Sequence, residues 1–129
     1  MSSVVLDASA ALALILNESG GDRVKALLHA QKASVTMSSV NWCETLTRLQ
    51  RDSPIVNAKK LTSMLPGVQV VAFSQPEAEV AAELAKLSSA LSLGDRACLA
   101  LAQTRKATAW TTDKVWMQVK AGVPIEILR

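Results

Sequence analysis

Val4-Val5-Leu6-Asp7-Ala8-Ser9-Ala10 is the stretch that decides how this chain reads. Val4, Val5 and Leu6 are apolar without alternation, and two of them are β-branched. That is the pattern of a strand buried on both faces of a parallel sheet. Residues 8–16 continue with helix formers. Asp7 therefore stands where a strand ends and a helix begins. In open parallel α/β sheets, ligands bind outside the carboxyl ends of the strands, so a carboxylate at this point is a candidate for metal or phosphate chemistry. It is also a helix N-cap, able to accept hydrogen bonds from the first free N–H groups. On Asp7 alone, the N-cap is the better reading.

The rest of the chain alternates in the same way. Asn17-Glu18-Ser19-Gly20-Gly21 breaks the first helix, and Asp22 is placed to cap a second, with Val24, Leu27 and Leu28 inward. Residues 33–37 read as a strand. Ser38 or Ser39 then caps a helix to about Arg51, with Val40, Cys43, Leu46 and Leu49 as its apolar stripe. A shorter helix carries Leu61, Met64 and Leu65 up to the Pro66-Gly67 turn. Residues 68–73 form a third strand. Ser74-Gln75-Pro76-Glu77 has the capping-box pattern and opens a long helix carrying Val80, Leu84, Leu87 and Leu91. Ser92 starts another helix, residues 108–112 a fourth strand, Asp113 a last helix ended by Gly122, and residues 125–128 a final strand. This alternation predicts an α/β fold, a three-layer α/β/α sandwich around a central, mostly parallel sheet of four to five strands. Residues 1–129 read as one domain.

Composition narrows the class. Half of the 129 residues are hydrophobic, which excludes disorder. The net charge of +3 is compatible with an anionic partner such as RNA. The Lys and Arg are scattered, however, and a solvated basic surface is the better reading. Aromatic residues make up only 3% of the chain, too few for an extended base-stacking platform. Cys43 and Cys98 form no C-x-x-C pair and read as small core residues of a reducing compartment. No apolar run approaches a membrane span, and the N-terminus has no basic leader region. The expectation is a soluble, cytoplasmic protein without membrane contact.

Four acids fit the hydrophobic pattern badly. Asp95 shares its helix face with Cys98, Leu99 and Ala102, so it continues an inward face, where an unpaired carboxylate is costly. Its alternative role is to close an S-x-x-D box with Ser92, and the two readings are even. Asp113 ends the fourth strand as Asp7 ends the first, and alone it too is better read as an N-cap. Glu44 lies mid-helix with Asn41 and Arg48 on its face; an exposed Glu44–Arg48 pair is its plain reading. Taken together, two acids close parallel strands, and two lie in first turns of helices entering from the same end of the sheet. All four can meet on one rim that no Lys or Arg neutralises. A hard divalent cation, Mg²⁺ or Mn²⁺, would remove that conflict and could serve phosphodiester hydrolysis. His29 is the only histidine, which argues against a His-based zinc site and a Ser-His-Asp triad.

These residues resemble those of PIN-domain ribonucleases, and within them the VapC-type toxins of toxin–antitoxin pairs. The resemblance rests on Leu6-Asp7-Ala8-Ser9-Ala10, on Val40-Asn41-Trp42-Cys43-Glu44, on the stretch from Leu91-Ser92-Leu93-Gly94-Asp95 to Ala102, and on Thr111-Thr112-Asp113-Lys114-Val115-Trp116. It implies a PIN-like fold over nearly the whole chain. It also implies catalytic, metal-binding acids at Asp7, Glu44, Asp95 and Asp113, supporting hydroxyls at Ser9 and Thr111, and Mg²⁺ or Mn²⁺ as cofactor. The implied activity is endonucleolytic cleavage of RNA, with a homodimeric toxin held inactive by a cognate small antitoxin. Cys98 stands where some members carry a further acid. Residues 57–67 show no motif that would define an RNA sequence. Trp42, Trp110 and Trp116 read as core or dimer packing, and Arg48, Arg96 and Lys114 as candidate phosphate contacts. The competing reading is a PIN-like binding module that does not cleave. A phospho-acceptor receiver domain is set aside, because Asp7 is followed by Ala8 and Ser9, and Phe73 by Ser74 and Gln75.

Overall fold

The computed structural model describes residues 2–129; Met1, the first residue of the expected domain, lies outside them. The elements in order are β1 (Ser2–Leu6), α1 (Ala8–Ile15), α2 (Gly21–Ala30), β2 (Ala33–Ser38), α3 (Ser39–Asp52), α4 (Ala58–Met64), β3 (Gln69–Val71), α5 (Gln75–Leu84), α6 (Leu93–Arg105), β4 (Thr108–Thr111), a 3₁₀ helix (Lys114–Gln118) and β5 (Ile125–Ile127). The five strands form one sheet in the order β3-β2-β1-β4-β5. Each neighbouring pair is parallel. The expected α/β sandwich is thus the observed one.

β1 occupies the centre because both of its faces are apolar. Val5 joins a core with Ala81, Leu84, Cys98, Leu99 and Trp116. Val4 and Leu6 point the other way, into a core with Ala10, Val24, Met37, Leu49 and Leu61. Period-two alternation within an all-apolar run therefore feeds two cores, which is how a doubly covered strand works. The chain travels from β1 outward through β2 to β3, then returns over the sheet to place β4 on the other side of β1. The carboxyl ends of β1 and β4 consequently flank a topological switch point, where such sheets open a crevice.

Several local expectations change. Gly20, with φ +92°, is the N-cap of α2, so Asp22 lies inside the first turn and not at the cap. Gly20 is required there twice over, because a Cβ would also come within 2.8 Å of Leu128. β3 is three residues long. α5 ends at Leu84, leaving Leu87 exposed, while Leu91 reaches the core from the following loop. The Ser74 hydroxyl bonds the Glu77 carboxylate directly, so the expected capping box at α5 does not close on the backbone. The last helix is the short 3₁₀ helix ending at Gln118. Cys98 is buried as expected, but Cys43 is exposed, because the inward face of α3 is Asn41, Thr45 and Leu49. Trp116 is a core residue, and Trp42 and Trp110 pack against the second core. The Arg23 guanidinium also lies 5.7 Å from the centre of the Trp110 ring, within cation–π range. Among the described residues, no helix is long and apolar enough to cross a membrane.

α1 and α2 approach so closely that a Cβ on Gly21 would overlap the Ala13 carbonyl group. Backbone cannot yield as a flexible side chain does. Gly21→Ala should therefore cost about 1–3 kcal/mol, read as a lower urea midpoint with unchanged slope. An unaltered midpoint would contradict this helix–helix contact.

Candidate metal and phosphodiester site

Asp7 caps α1, accepting from the Ala10 N–H at 2.8 Å on Oδ1. The Ser9 hydroxyl donates to the same oxygen at 2.7 Å, and the Thr111 hydroxyl donates to Oδ2 at 2.6 Å. Each hydroxyl is fixed from behind by a backbone N–H, Thr112 to Ser9 Oγ at 3.0 Å and Asp113 to Thr111 Oγ1 at 3.1 Å. Since both hydroxyl protons are directed at Asp7, the 3.3 Å approach of Ser9 Oγ to Thr111 Oγ1 is a contact forced by the shared acceptor. The Asp7 N–H also donates to the Trp110 carbonyl, which extends the β1–β4 ladder to the rim.

The cap and the site are therefore one arrangement. The same holds for Asp95, which closes a full capping box with Ser92, and for Asp113, whose Oδ1 accepts from the Val115 N–H at 3.0 Å. Capping uses some of the lone pairs on each carboxylate and leaves others free. Glu44 lies on the second turn of α3, one turn later than expected. Its Oε1 accepts from Asn41 Nδ2 at 3.0 Å. The expected Glu44–Arg48 pair does not form, and Arg48 instead lies 3.9 Å from Asp52.

Asp7, Ala8, Ser9, Asn41, Glu44, Asp95 and Asp113 line a single cleft of about 200 Å³. All four sequence-predicted acids thus reach one cleft, and Ser9 joins its wall. Thr111 is buried behind Asp7 and supports it from there. Among the described residues, no Lys or Arg lines the cleft. Among the described residues, the ion pairs join other groups, Arg23–Glu126, Arg48–Asp52, Lys86–Glu83 and Arg129–Glu18. Arg96, a candidate phosphate contact, donates to the Ala81 carbonyl at 3.1 Å and so fastens α5 to α6.

The electrostatics follow from this geometry. Asp7 is only 5% exposed. Burial, opposed by the hydrogen bonds from Thr111, Ser9 and Ala10 and assisted by the charge of Asp95, pushes its carboxyl from the ordinary 3.8 up to about 6. Cys98, one turn beyond Asp95, has its thiol pushed well up by burial and then by the charges of Asp7, Asp95 and Glu44. Three carboxylates thus act on one buried sulfur from the neighbouring cleft.

The donor set is all oxygen, which suits Mg²⁺ or Mn²⁺ over zinc. Among the described residues, no three Asp, Glu, His or Cys side chains are gathered as a ready-made metal cage. Mg²⁺ tolerates this, because it keeps several waters and takes only one or two carboxylates directly. Asp7 and Asp95 would hold the ion, with Glu44 and Asp113 lining the hydration shell. Sequence reasoning put Asn41 on the face of Glu44 and Gly94 in a matched motif, but gave neither a part in the site. Asn41 is 1% exposed, and its Nδ2 donates to the Gly94 carbonyl at 3.0 Å as well as to Glu44. Gly94 lets the Glu44 carboxylate rest directly on the α6 backbone, since a Cβ there would overlap both carboxylate oxygens. The one available signal was a polar residue three positions before Glu44.

Comparison with known proteins gives the same fold. The PIN domain family model matches residues 4–122. No curated protein sequence matches the chain significantly. Among solved structures, VapBC2 from Rickettsia felis bound to a DNA fragment from their promoter is similar with a TM-score of 0.76 and 19% identity, covering 98% of this chain and 99% of that one. A toxin–antitoxin complex from Klebsiella pneumoniae gives a TM-score of 0.75 and 18% identity, covering 98% of each chain. VapC20 from Mycobacterium tuberculosis, described as a sarcin-ricin loop cleaving toxin, gives 0.64 and 18%, covering 88% of this chain and 92% of that one. At these identities the likeness is one of fold.

The raised Asp7 value has a consequence for stability. The folded chain holds this proton more tightly than the unfolded chain does. Its stabilising contribution is therefore fully present below about pH 4 and is lost as the pH rises through about 6. At neutral pH, the buried charge is a standing cost of about 3 kcal/mol. Asn fits the same position: its Oδ1 can accept from Ala10 and Ser9, while its Nδ2 donates to Thr111 Oγ1. In metal-free buffer, Asp7→Asn should stabilise the protein at pH 7.5, with the difference closing toward pH 4. Urea denaturation at both pH values checks this. Equal destabilisation at both would contradict the electrostatic reading of Asp7.

Proposed function

The chain belongs to the PIN-domain family, and from that premise we propose that it is a metal-dependent endoribonuclease acting as the toxin of a toxin–antitoxin pair. One observation carries the proposal: Asp7, Glu44, Asp95 and Asp113 line the same cleft at the switch point, and among the described residues no Lys, Arg or His pairs with any of them. Left so, their caps and hydrogen bonds hold the four carboxylates in place but do not neutralise them, and the charge of Asp95 adds to the cost of ionising Asp7.

A bound Mg²⁺ or Mn²⁺ would supply charge to polarise a phosphodiester and to activate water at neutral pH. The chain's own residues supply position. Ser9, Thr111 and the Ala10 N–H fix both oxygens of Asp7. The capping box with Ser92 orients Asp95, leaving one of its oxygens to the cleft. Asn41 holds Glu44, and the Val115 N–H holds Asp113. In this reading Asp7 and Asp95 hold the ion, Glu44 and Asp113 complete the acidic cluster, and Ser9 and Thr111 are supporting groups.

The solved structures similar in fold include toxin–antitoxin complexes and a toxin described as cleaving the sarcin-ricin loop. These support RNA as the substrate class and a small cognate antitoxin as partner. The same reading takes the chain as a single cytoplasmic PIN-like domain that forms a homodimer. The second reading, a PIN-like binding module without activity, has the whole acid set against it.

Asp95→Asn separates the two readings. Asn keeps an oxygen for the Ser92 N–H, so the capping box and the fold should survive. The lost charge should remove several kcal/mol of transition-state stabilisation, about a 10³-fold drop in cleavage of a labelled RNA, and with it growth inhibition on induction. EDTA should abolish wild-type cleavage, and Mn²⁺ should restore it. A folded Asp95→Asn protein that cleaves RNA as the wild type does would refute the assignment. A wild type that binds Mn²⁺ and never cleaves would favour the binding module.

A further inference from the structure

We propose that Asn41 is a positioning residue of the acidic cleft, a brace that sets where the Glu44 carboxylate stands relative to Asp95. The inference rests on the metal-dependent reading given above.

Asn41 is among the largest fully buried side chains, although it is polar and lies on a helix. Its amide nitrogen is committed on both sides, to Glu44 Oε1 within α3 and to the Gly94 carbonyl of α6, each at 3.0 Å. The two acceptors also fix the orientation of the amide, because the flipped form would place oxygen against oxygen. Its Oδ1 is buried and has no partner among the described residues. Leaving such an atom unpaired is unfavourable. An apolar side chain of similar size would fill the space but would make neither the bond to Glu44 nor the bond to the Gly94 carbonyl.

The bonds that Asn41 does make bear on function more than on packing. Glu44 is a flexible, exposed side chain, and the negative charges of Asp7 and Asp95 lie beside the same cleft. Repulsion would turn it outward to solvent. Asn41 opposes this from one side with a hydrogen bond to the carboxylate. Gly94 opposes it from the other by leaving the α6 backbone bare for the carboxylate to rest on. Gly94 immediately precedes Asp95 in the first turn of α6. Asn41 therefore ties the helix that carries one acid to the turn that carries the other. Thr45, the next residue on this face, donates to the Asn41 carbonyl at 2.7 Å and continues the buried polar seam.

A brace acts through Glu44, which makes the inference testable by a double-mutant cycle. The Mn²⁺ dissociation constant would be measured by electron paramagnetic resonance for the wild type, Asn41→Ala, Glu44→Ala and the double variant, with a melting curve for each. Asn41→Ala should weaken Mn²⁺ binding about tenfold, the scale of outer-shell groups at metal sites. In the Glu44→Ala background the same change should add nothing. Gly94→Ala, which expels the carboxylate while leaving Asn41 in place, should reproduce the weakening and keeps the test open if Asn41→Ala folds poorly. An Asn41→Ala protein with lowered melting temperature and unchanged Mn²⁺ affinity would overturn the inference, as would additive losses in the double variant. A wild type that binds no Mn²⁺ would instead refute the metal reading itself, and the brace with it.

Discussion

The structure turns on a carboxylate that is buried among hydrogen bonds and not beside a cation. Hydrogen bonds to a charged group contribute about 1.5–3 kcal/mol each, and Asp7 accepts three, from Ser9, Ala10 and Thr111. They would hold its pKa down if they prevailed. The value moves up, so burial prevails over all three. The hydroxyls of Ser9 and Thr111 fix the direction of Asp7 without neutralising it. A cationic neighbour would have done the opposite, giving stability and closing the site to any other positive charge.

The fold makes this placement possible. β1 has β2 on one side and β4 on the other, and its backbone is paired to β2 through Val5 and to β4 through Leu6. Beyond that point the chains diverge into α1 and the 3₁₀ helix, and side chains take over from the ladder. Ser9 from one chain and Thr111 from the other cross the gap. The helices α3 and α6, which cover opposite faces of the sheet, meet over the same rim. There Asn41 reaches the Gly94 carbonyl, and Glu44 and Asp95 enter the cleft. Four acids from four elements reach one cleft because the switch point lets two helices approach above two strand ends.

Much of this was legible in the sequence wherever the information was local. An apolar run ended by Asp7 and a short strand ended by Asp113 can be read at any position in a chain, although each acid alone reads better as an N-cap and the support from Ser9 and Thr111 came only with the family resemblance. Ser92 and Asp95 formed the expected capping box, because every atom of that motif lies within four residues. α3 was harder. Its apolar residues suggested an inward stripe through Cys43, whereas the buried face is Asn41, Thr45 and Leu49. Hydrophobic periodicity cannot report a helix whose inner face is polar at one end, where it meets the cleft, and apolar at the other. The stop of α5 at Leu84 was hidden for a related reason. Leu87 and Leu91 keep the helical spacing, yet only Leu91 is buried, and it arrives there from a loop. The role of Gly94 depends on Glu44, fifty residues earlier, and no local pattern contains it.

The claim beneath all of these relations is that one divalent ion belongs among these carboxylates. The most direct measurement is anomalous diffraction from crystals soaked in MnCl₂. The predicted result is a manganese peak in the cleft, at about 2.0–2.6 Å from oxygens of Asp7 and Asp95, with waters between it and Glu44 or Asp113. Well-ordered carboxylates with no peak among them, or a peak only at some other place on the surface, would contradict it.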